Sequence, residues 1–454
     1  MPRLTRSGGC SRRSILNSSN IMSGSKTANG IFISEGLIRF RALCRWLGEN
    51  PATLQLAEVR GKRWSFLDGD LPPDADRFDL CRIRISDSFG LLIYGGARLP
   101  ADTIRNIRAV ALRLYAFERY HSQDQLAAAL AGKDDAALFT SADTVREVFC
   151  GREVHLRAII EFSNICRRDC MYCGIRRQHR GVTRYRMNPE EIYRAARAAA
   201  ELGYRTVVLQ SGDECGYPLG ELCTLIRRIK KDFSCAVTLS SGEKTFSEYR
   251  QLRESGTDRY LLKFETSDRA LYRMLKPDSS YAQRFRCIRW LKQLHYQTGS
   301  GLLTGVPGQT DRILARDVCC LRSLDLDMVG IGPFIPHPGT PLGKEDPGDS
   351  LRALRAVALT RILCPDTHLP ATTALATRDA PAREQALRCG ANVIMPDLTP
   401  ARYRQHYQIY PGKPQKGAPL GVRKSLEALI RAAGRTVGKD RGESIRMRRE
   451  RGNG

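Results

Sequence analysis

No apolar run of about 18 residues or more occurs in this chain of 454 residues, so the sequence predicts no membrane-spanning helix. No apolar core follows the basic start, which argues against a secretory signal. Residues 1–30 contain no acid and are rich in Ser and Arg. They are expected to be disordered or to serve as a targeting segment; translation starting at Met22 is an alternative. The fifteen cysteines form an odd, irregular set, which excludes a disulfide framework and points to a reducing compartment. That compartment is expected to be the cytoplasm, or an organelle matrix if the first residues are a transit peptide. Aromatic residues are absent from 423–451 although Arg and Lys crowd there. Despite a formal charge of +25, this end is therefore read as a solvated basic tail and not a nucleic-acid arm. No nucleic acid and no membrane is expected as a partner.

What is present suffices for a large core, with 42% hydrophobic residues. The expected division is a disordered or targeting segment over 1–34, a small α/β accessory extension over 35–118, a main domain over 119–415, and a basic helix or tail over 416–454. In the extension, Leu80–Ile85 and Leu91–Tyr94 read as strands and Pro100–His121 as a helix with one apolar face. In the main domain, apolar runs alternate with amphipathic stretches such as Pro189–Leu202 and Leu219–Asp232. The strand candidates are His155–Phe162, Thr206–Gln210, Ala236–Ser240, Arg259–Phe264, Gly299–Leu303, Met328–Ile331, Leu369–Ala374 and Asn392–Met395. Strand–helix alternation implies a parallel sheet, and eight units imply a closed (β/α)8 TIM-type barrel with its chemistry at the C-terminal strand ends. Several strands end in polar or glycine-containing clusters, such as Gln210-Ser-Gly-Asp-Glu214 and Ser240-Ser-Gly-Glu243.

After the first strand comes Cys166-Arg-Arg-Asp-Cys170-Met-Tyr-Cys173. Three thiolates spaced C-x3-C-x2-C can ligate three irons of a 4Fe-4S cubane and leave the fourth open. The alternative is a zinc knuckle, which needs a fourth ligand; His179 is the candidate. Position after strand one of a barrel, with Tyr172 before the last cysteine, favours the pattern of radical S-adenosylmethionine (SAM) enzymes. There the open iron chelates SAM and the cofactor yields a 5′-deoxyadenosyl radical.

Longer phrases narrow the match. They include Arg157-Ala-Ile-Ile-Glu-Phe-Ser-Asn164, Val306-Pro-Gly-Gln-Thr310, Gly330-Ile-Gly-Pro-Phe-Ile-Pro-His-Pro338, Pro370-Ala-Thr-Thr-Ala374, Gly390-Ala-Asn-Val-Ile-Met-Pro396 and Tyr410-Pro-Gly-Lys413. From about residue 120 to Lys413 the chain resembles the HydE family, radical SAM maturases of FeFe hydrogenase within the biotin synthase-like group. The resemblance implies a complete barrel around a large cavity, one 4Fe-4S cluster on Cys166, Cys170 and Cys173, and SAM beside it. It implies SAM contacts from Tyr172, Ser211, Gly212, Asp213, Glu214, Lys263, Glu265 and Arg284, with the last pairing to the SAM carboxylate. Lys263 and Phe264 stand where the family often has Arg and His, and the order Asp213–Glu214 leaves open which acid meets the SAM ammonium. Arg157, Thr238, Thr372, Thr373 and Tyr410 match positions lining an anionic substrate cavity, and Tyr407 is a further candidate for it.

The implied substrate is a small organometallic species, a cysteine-bound iron dicarbonyl cyanide complex. The implied partners are a HydG-type maturase that makes it, a HydF-type scaffold downstream, and an electron donor such as ferredoxin or flavodoxin. Two enzymatic alternatives are a different thiol or organometallic substrate and biotin synthase-type sulfur insertion. The latter needs further strand cysteines, and Thr238-Leu-Ser-Ser and Ser300-Gly-Leu-Leu-Thr carry none. A non-enzymatic alternative, a metal-binding regulator, would be expected to have lost a cluster cysteine or a SAM-binding acid.

Overall fold

In the computed structural model the described residues are 120, 122–214, 216–413 and 418–447, together with the backbone of four strands nearer the start. The chain divides into two compact units, Met1–Arg98 and Leu99–Gly454. The first contains β1 (Thr53–Arg60), β2 (Arg63–Phe66), β3 (Leu80–Arg84) and β4 (Phe89–Tyr94), in the antiparallel order β2-β1-β4-β3. The expected strands at 80 and 91 are β3 and β4; β1 and β2 were not anticipated. The expected segment 1–34 lies outside the described residues, as does the expected helix at Pro100–His121 except for Tyr120.

In the second unit, β5 (Glu153–Leu156) and β6 (Ala158–Ser163) are two pieces of one barrel strand joined at Arg157. They are followed by β7 (Thr206–Ser211), β8 (Ala236–Ser240), β9 (Arg259–Leu261), β10 (Gln297–Thr304) and β11 (Met328–Pro333). The run from β6 to β11 pairs in sequence order, all parallel. Closure runs through short segments. Val329 N donates to His368 O at 3.0 Å, Ala371 N to Val393 O at 2.8 Å, and Leu398 N to Ile159 O at 2.8 Å. The intervening β12 (Val393–Ile394) pairs in parallel with β5. Eight strand segments thus close the ring, as the eight sequence units imply.

The seventh strand is shorter than expected. Its pairing ends at Ala371, and Thr372 caps a helix over Thr373–Arg378 by accepting from Leu375 N. A threonine hydroxyl satisfies a helix N-terminus better than it fills a strand. The expected helices at 189 and 219 are present as α3 (Pro189–Glu201) and α4 (Leu219–Asp232), after α1 (Gln123–Leu130) and α2 (Asp135–Cys150). In α3, Pro189 sits at the start behind an Asn188–Glu191 capping box, and Ile192, Ala195, Ala196 and Ala199 turn one stripe to the sheet. Among the described residues no helix is long and apolar enough to cross a membrane.

The basic C-terminal segment departs from the expected solvated tail. After the helix Pro419–Ala432, Thr436–Val437 pairs with β5, and the chain then covers the N-terminal ends of the barrel strands. Arg259 Nη2 donates to Arg441 O at 2.8 Å and Gly442 O at 2.9 Å, and Ser444 Oγ donates to Asp327 at 2.5 Å. Arg446 pairs with Asp325 and Asp366, and Arg435 is buried against Asp143. Two of the cations that read as a charge run, Arg435 and Arg446, are thus matched to acids elsewhere in the domain.

Candidate active site

The cysteine loop leaves β6 and is held by polar side chains, not by its thiols. Asn164 Nδ2 donates to Thr183 O and His406 O at 2.8 Å each, and Asn164 Oδ1 accepts from Tyr185 N at 2.8 Å. Arg184 reaches Asn164 O and Ile175 O at 2.7 Å. Buried Asp169 accepts from Gln178 N at 2.8 Å and from Arg177 at 2.5 Å. Cys166, Cys170 and Cys173 all face one cavity of about 440 Å³ that extends down the barrel to Arg157 and His368.

Gly212, at the end of β7, makes the close approach of this loop possible. A Cβ there would overlap Ile165 O and lie 2.8 Å from Cys166 Cβ. Its role in the fold is to admit the cysteine loop, beyond any approach of a ligand. Gly212→Ala is therefore expected to destabilise the domain by about 1–3 kcal/mol and to lower iron incorporation at Cys166. Urea denaturation and iron analysis of the purified variant would check this; wild-type values for both would refute it.

The donor set suits a cubane. Three thiolates round one tetrahedral zinc would stand about 3.8 Å apart, since Zn–S is near 2.3 Å. Among the described residues, three potential ligand atoms converge within 4.8 Å of one another only at Glu153, His155 and Asp440, at the far end of the barrel. The three cysteine sulfurs are not among the groups that converge on one point, which suits one iron each. His179 is engaged elsewhere, its Nδ1 donating to Gly174 O at 2.6 Å with its ring against His337. Burial, then the charge of neighbouring thiolates, pushes the Cys173 thiol well up; burial does the same to Cys166. A cationic cluster would relieve that. Buried Lys276 already donates from Nζ to Cys170 Sγ at 3.4 Å and to Tyr172 Oη at 3.4 Å.

Beside the cysteines lies a chain of alternating charges. Asp213 accepts from Arg167 Nε at 3.0 Å and from Arg168 Nε at 2.7 Å. Arg168 reaches Glu243 at 2.6 Å, and Glu243 pairs with buried Arg284 at 2.9 Å. Burial alone would raise the Asp213 carboxyl, but the arginines hold it below its ordinary value. Of the two adjacent acids, Asp213 lines the cavity, whereas Glu214 is absent from its lining and pairs with Arg186. Arg284, expected to meet a ligand carboxylate, is paired here with Glu243.

Glu265 has a left-handed backbone, φ 67°, uncommon for a residue with a side chain. It is held there by Glu265 N donating to Gly301 O and Leu303 N donating to Glu265 O, at 3.0 and 3.1 Å. Its carboxylate accepts from Tyr172 Oη at 3.2 Å and lies 3.4 Å from Lys263 Nζ. Burial opposes its charge, yet Lys263, Lys276 and Arg284 hold its carboxyl below the ordinary range. Phe264 is buried against Phe285, so the position beside Lys263 serves packing.

Lower in the cavity, Thr238 Oγ1 is buried with no hydrogen-bond partner. Arg157 donates to Gly442 O at 3.1 Å and touches Met328 Sδ, so part of its guanidinium serves the barrel floor. Thr372 Oγ1 donates to Ile331 O at 3.2 Å, and Gln210 donates to Tyr407 Oη at 3.3 Å. Ser211, Thr373 and Tyr410 complete the expected lining. Every candidate for the cluster, SAM or substrate except Glu214 therefore meets in one chamber, and His179, the zinc alternative, stands outside its lining. The sequence reading missed Glu243, Arg168, Lys276, Glu161, Asp397 and Lys413. Two of these carried a signal: Glu161 as a charge inside an apolar strand, Ala158-Ile-Ile-Glu-Phe-Ser163, and Glu243 in the polar cluster that ends its strand.

Residues 160–317 match the Radical SAM superfamily model and residues 331–416 the Biotin and Thiamin Synthesis associated domain. The FeFe hydrogenase maturase subunit HydE of Thermotoga maritima is 50% identical over 307 residues, covering 66% of this chain and 88% of that protein. In fold, the chain is similar to methylornithine synthase PylB, with a TM-score of 0.62 at 24% identity, covering 72% of this chain and 97% of that one. It is also similar to HydG from Carboxydothermus hydrogenoformans, with a TM-score of 0.59 at 20% identity, covering 73% and 80%. With its cysteine triad, closed barrel and this identity, the chain is a radical SAM enzyme and belongs to the HydE family.

Proposed function

We propose that this enzyme matures the active-site cluster of FeFe hydrogenase. The observation that carries the reading is the single chamber joining the three cysteines to buried Arg157 and Thr238. A 4Fe-4S cluster with one open iron, when bound, supplies reductive cleavage of SAM to a 5′-deoxyadenosyl radical. This chain's own residues do the rest. Cys166, Cys170 and Cys173 would hold three irons. Asp213, Glu265 and Arg284 would seat the charged end of SAM, their protein ion pairs giving way to ligand ones, and Tyr172 would pack beside it. The apolar barrel wall keeps water from the reacting atoms.

Arg157, with the buried hydroxyls of Thr238 and Tyr407, suits an anionic ligand, because a buried cation favours an anion and the Thr238 hydroxyl lacks a partner. The cysteine-bound iron dicarbonyl cyanide complex fits that description. The partners on this reading are a HydG-type supplier, a HydF-type acceptor and a low-potential donor such as ferredoxin or flavodoxin. The free cysteines among the described residues suit a reducing compartment, the cytoplasm or an organelle matrix.

Anaerobic reconstitution followed by SAM and dithionite should yield 5′-deoxyadenosine, and adding the synthetic complex should consume it. Cleavage of SAM with no loss of the complex would mean another substrate; no cleavage at all would overturn the enzymatic reading.

A further inference from the structure

The charges of Glu161 in β6, Asp397 and Lys413 take no part in the chemistry described so far, yet all three face the chamber. Glu161 is almost fully enclosed, and its Oε1 accepts from Lys413 Nζ at 2.5 Å. Lys413 also donates to Tyr407 O at 3.2 Å and stands 3.9 Å from Asp397 Oδ2. Asp397 Oδ1 accepts from Thr399 N at 2.9 Å, and Thr399 Oγ1 accepts from Glu161 N at 2.8 Å, so one residue positions both acids. Two buried carboxyl oxygens, Glu161 Oε2 and Asp397 Oδ2, have no hydrogen-bond partner. Arg404 Nε stands 3.9 Å from Asp397, but this guanidinium donates to Thr399 O. The remaining titratable neighbours are tyrosines: Tyr185, whose hydroxyl donates to Glu161 O at 2.6 Å, with Tyr407 and Tyr410.

Two carboxylates beside one ammonium, both with an empty oxygen, are unfavourable out of water; one proton shared between them satisfies both. We propose that Glu161, Asp397 and Lys413 form a proton-holding site of the chamber, in which the two carboxyls share one proton and Glu161 delivers it to a basic sulfur or nitrogen atom of the bound ligand. In that step the O–H bond of Glu161 breaks and an S–H or N–H bond forms. The carboxylate left behind is held by Lys413, no electron moves, and solvent restores the proton after release. This rests on reading the chamber as the substrate site. Burial, opposed by Lys413 and aided by Asp397, pushes the Glu161 carboxyl up to about 8. The proton is therefore held at neutral pH and lost as pH rises through that value.

Infrared spectroscopy of the substrate-free holoenzyme tests the site itself. At neutral pH it should show the C=O stretch of a protonated carboxylic acid that shifts on carbon-13 labelling of glutamate and fades as pH rises through about 8. The band should be missing in Glu161→Gln and should titrate at a different pH in Asp397→Asn. A folded wild type without a glutamate-sensitive band, or a band that survives Glu161→Gln, refutes the proposal. Turnover of the synthetic cysteine iron dicarbonyl cyanide complex tests delivery. Glu161→Gln should lower kcat about a hundredfold and remove the alkaline limb of its pH profile. Unchanged kcat and profile refute delivery. If wild type does not turn over the complex, the substrate reading fails, and the infrared band alone then decides this proposal.

Discussion

Replacing Cys166, Cys170 or Cys173 singly with Ser is expected to leave a folded protein that retains little iron and forms no 5′-deoxyadenosine above background. A serine hydroxyl stays protonated at neutral pH and is a harder ligand than thiolate, so one corner of the cubane loses its anchor. The fold should survive because the loop is secured by Asn164, Asp169 and Arg184, whose hydrogen bonds run to main chain and to neighbouring side chains. Cys235 and Cys389, buried away from the chamber, provide the comparison: their serine variants should keep full iron. Iron analysis, circular dichroism and a SAM-cleavage assay on the five variants decide the matter. Normal iron and cleavage in any one of the three loop variants would remove that cysteine from the cluster.

Lys413→Met is expected to have the largest effect on stability. Above about pH 8, where Glu161 is ionised, removing one member of a buried ion pair leaves a carboxylate without its counter-charge, a loss of about 3–5 kcal/mol. The sign of the pH dependence follows from Glu161, whose folded value of about 8 lies above its ordinary 4.5. The contribution of such a group is fully present below 4.5 and is lost as pH rises through 8. Without Lys413 the folded value rises further. The deficit of the variant should thus be small in acid, where Glu161 is protonated, and widen on the alkaline side. Denaturant midpoints on either side of that value would show it. A deficit independent of pH would mean that Lys413 contributes packing and not charge.

The parts of this molecule legible in the sequence were those whose signals are local. The cysteine triplet lies within eight consecutive residues. The capping box of α3 and the apolar stripe behind it span three turns, and seven of the eight strands stand close to where their apolar runs lie. The seventh was overextended because Thr372 and Thr373 satisfy a strand's composition while Thr372 satisfies a helix cap better. The solvated tail was misjudged for a related reason: a run of arginines carries no mark of the acids it will meet.

The sequence by itself determined the cysteine spacing and the barrel, because spacing and periodicity are properties of neighbouring residues, while the family followed from the likeness of longer phrases. Only the tertiary structure decided which charges face the chamber. Asp213 was separated from Glu214 by the position of Arg186, and Arg284 was matched to Glu243. Glu161 met Lys413 across a sequence separation of 252 residues. The last of these pairings depends on closure of the ring, which brings the first strand beside the last; the others need neighbouring barrel units to pack, and all remove their charges from water. Until that happens, each of these side chains is solvated independently, and nothing in the linear order distinguishes a surface lysine from one that holds a carboxylate in the cavity wall.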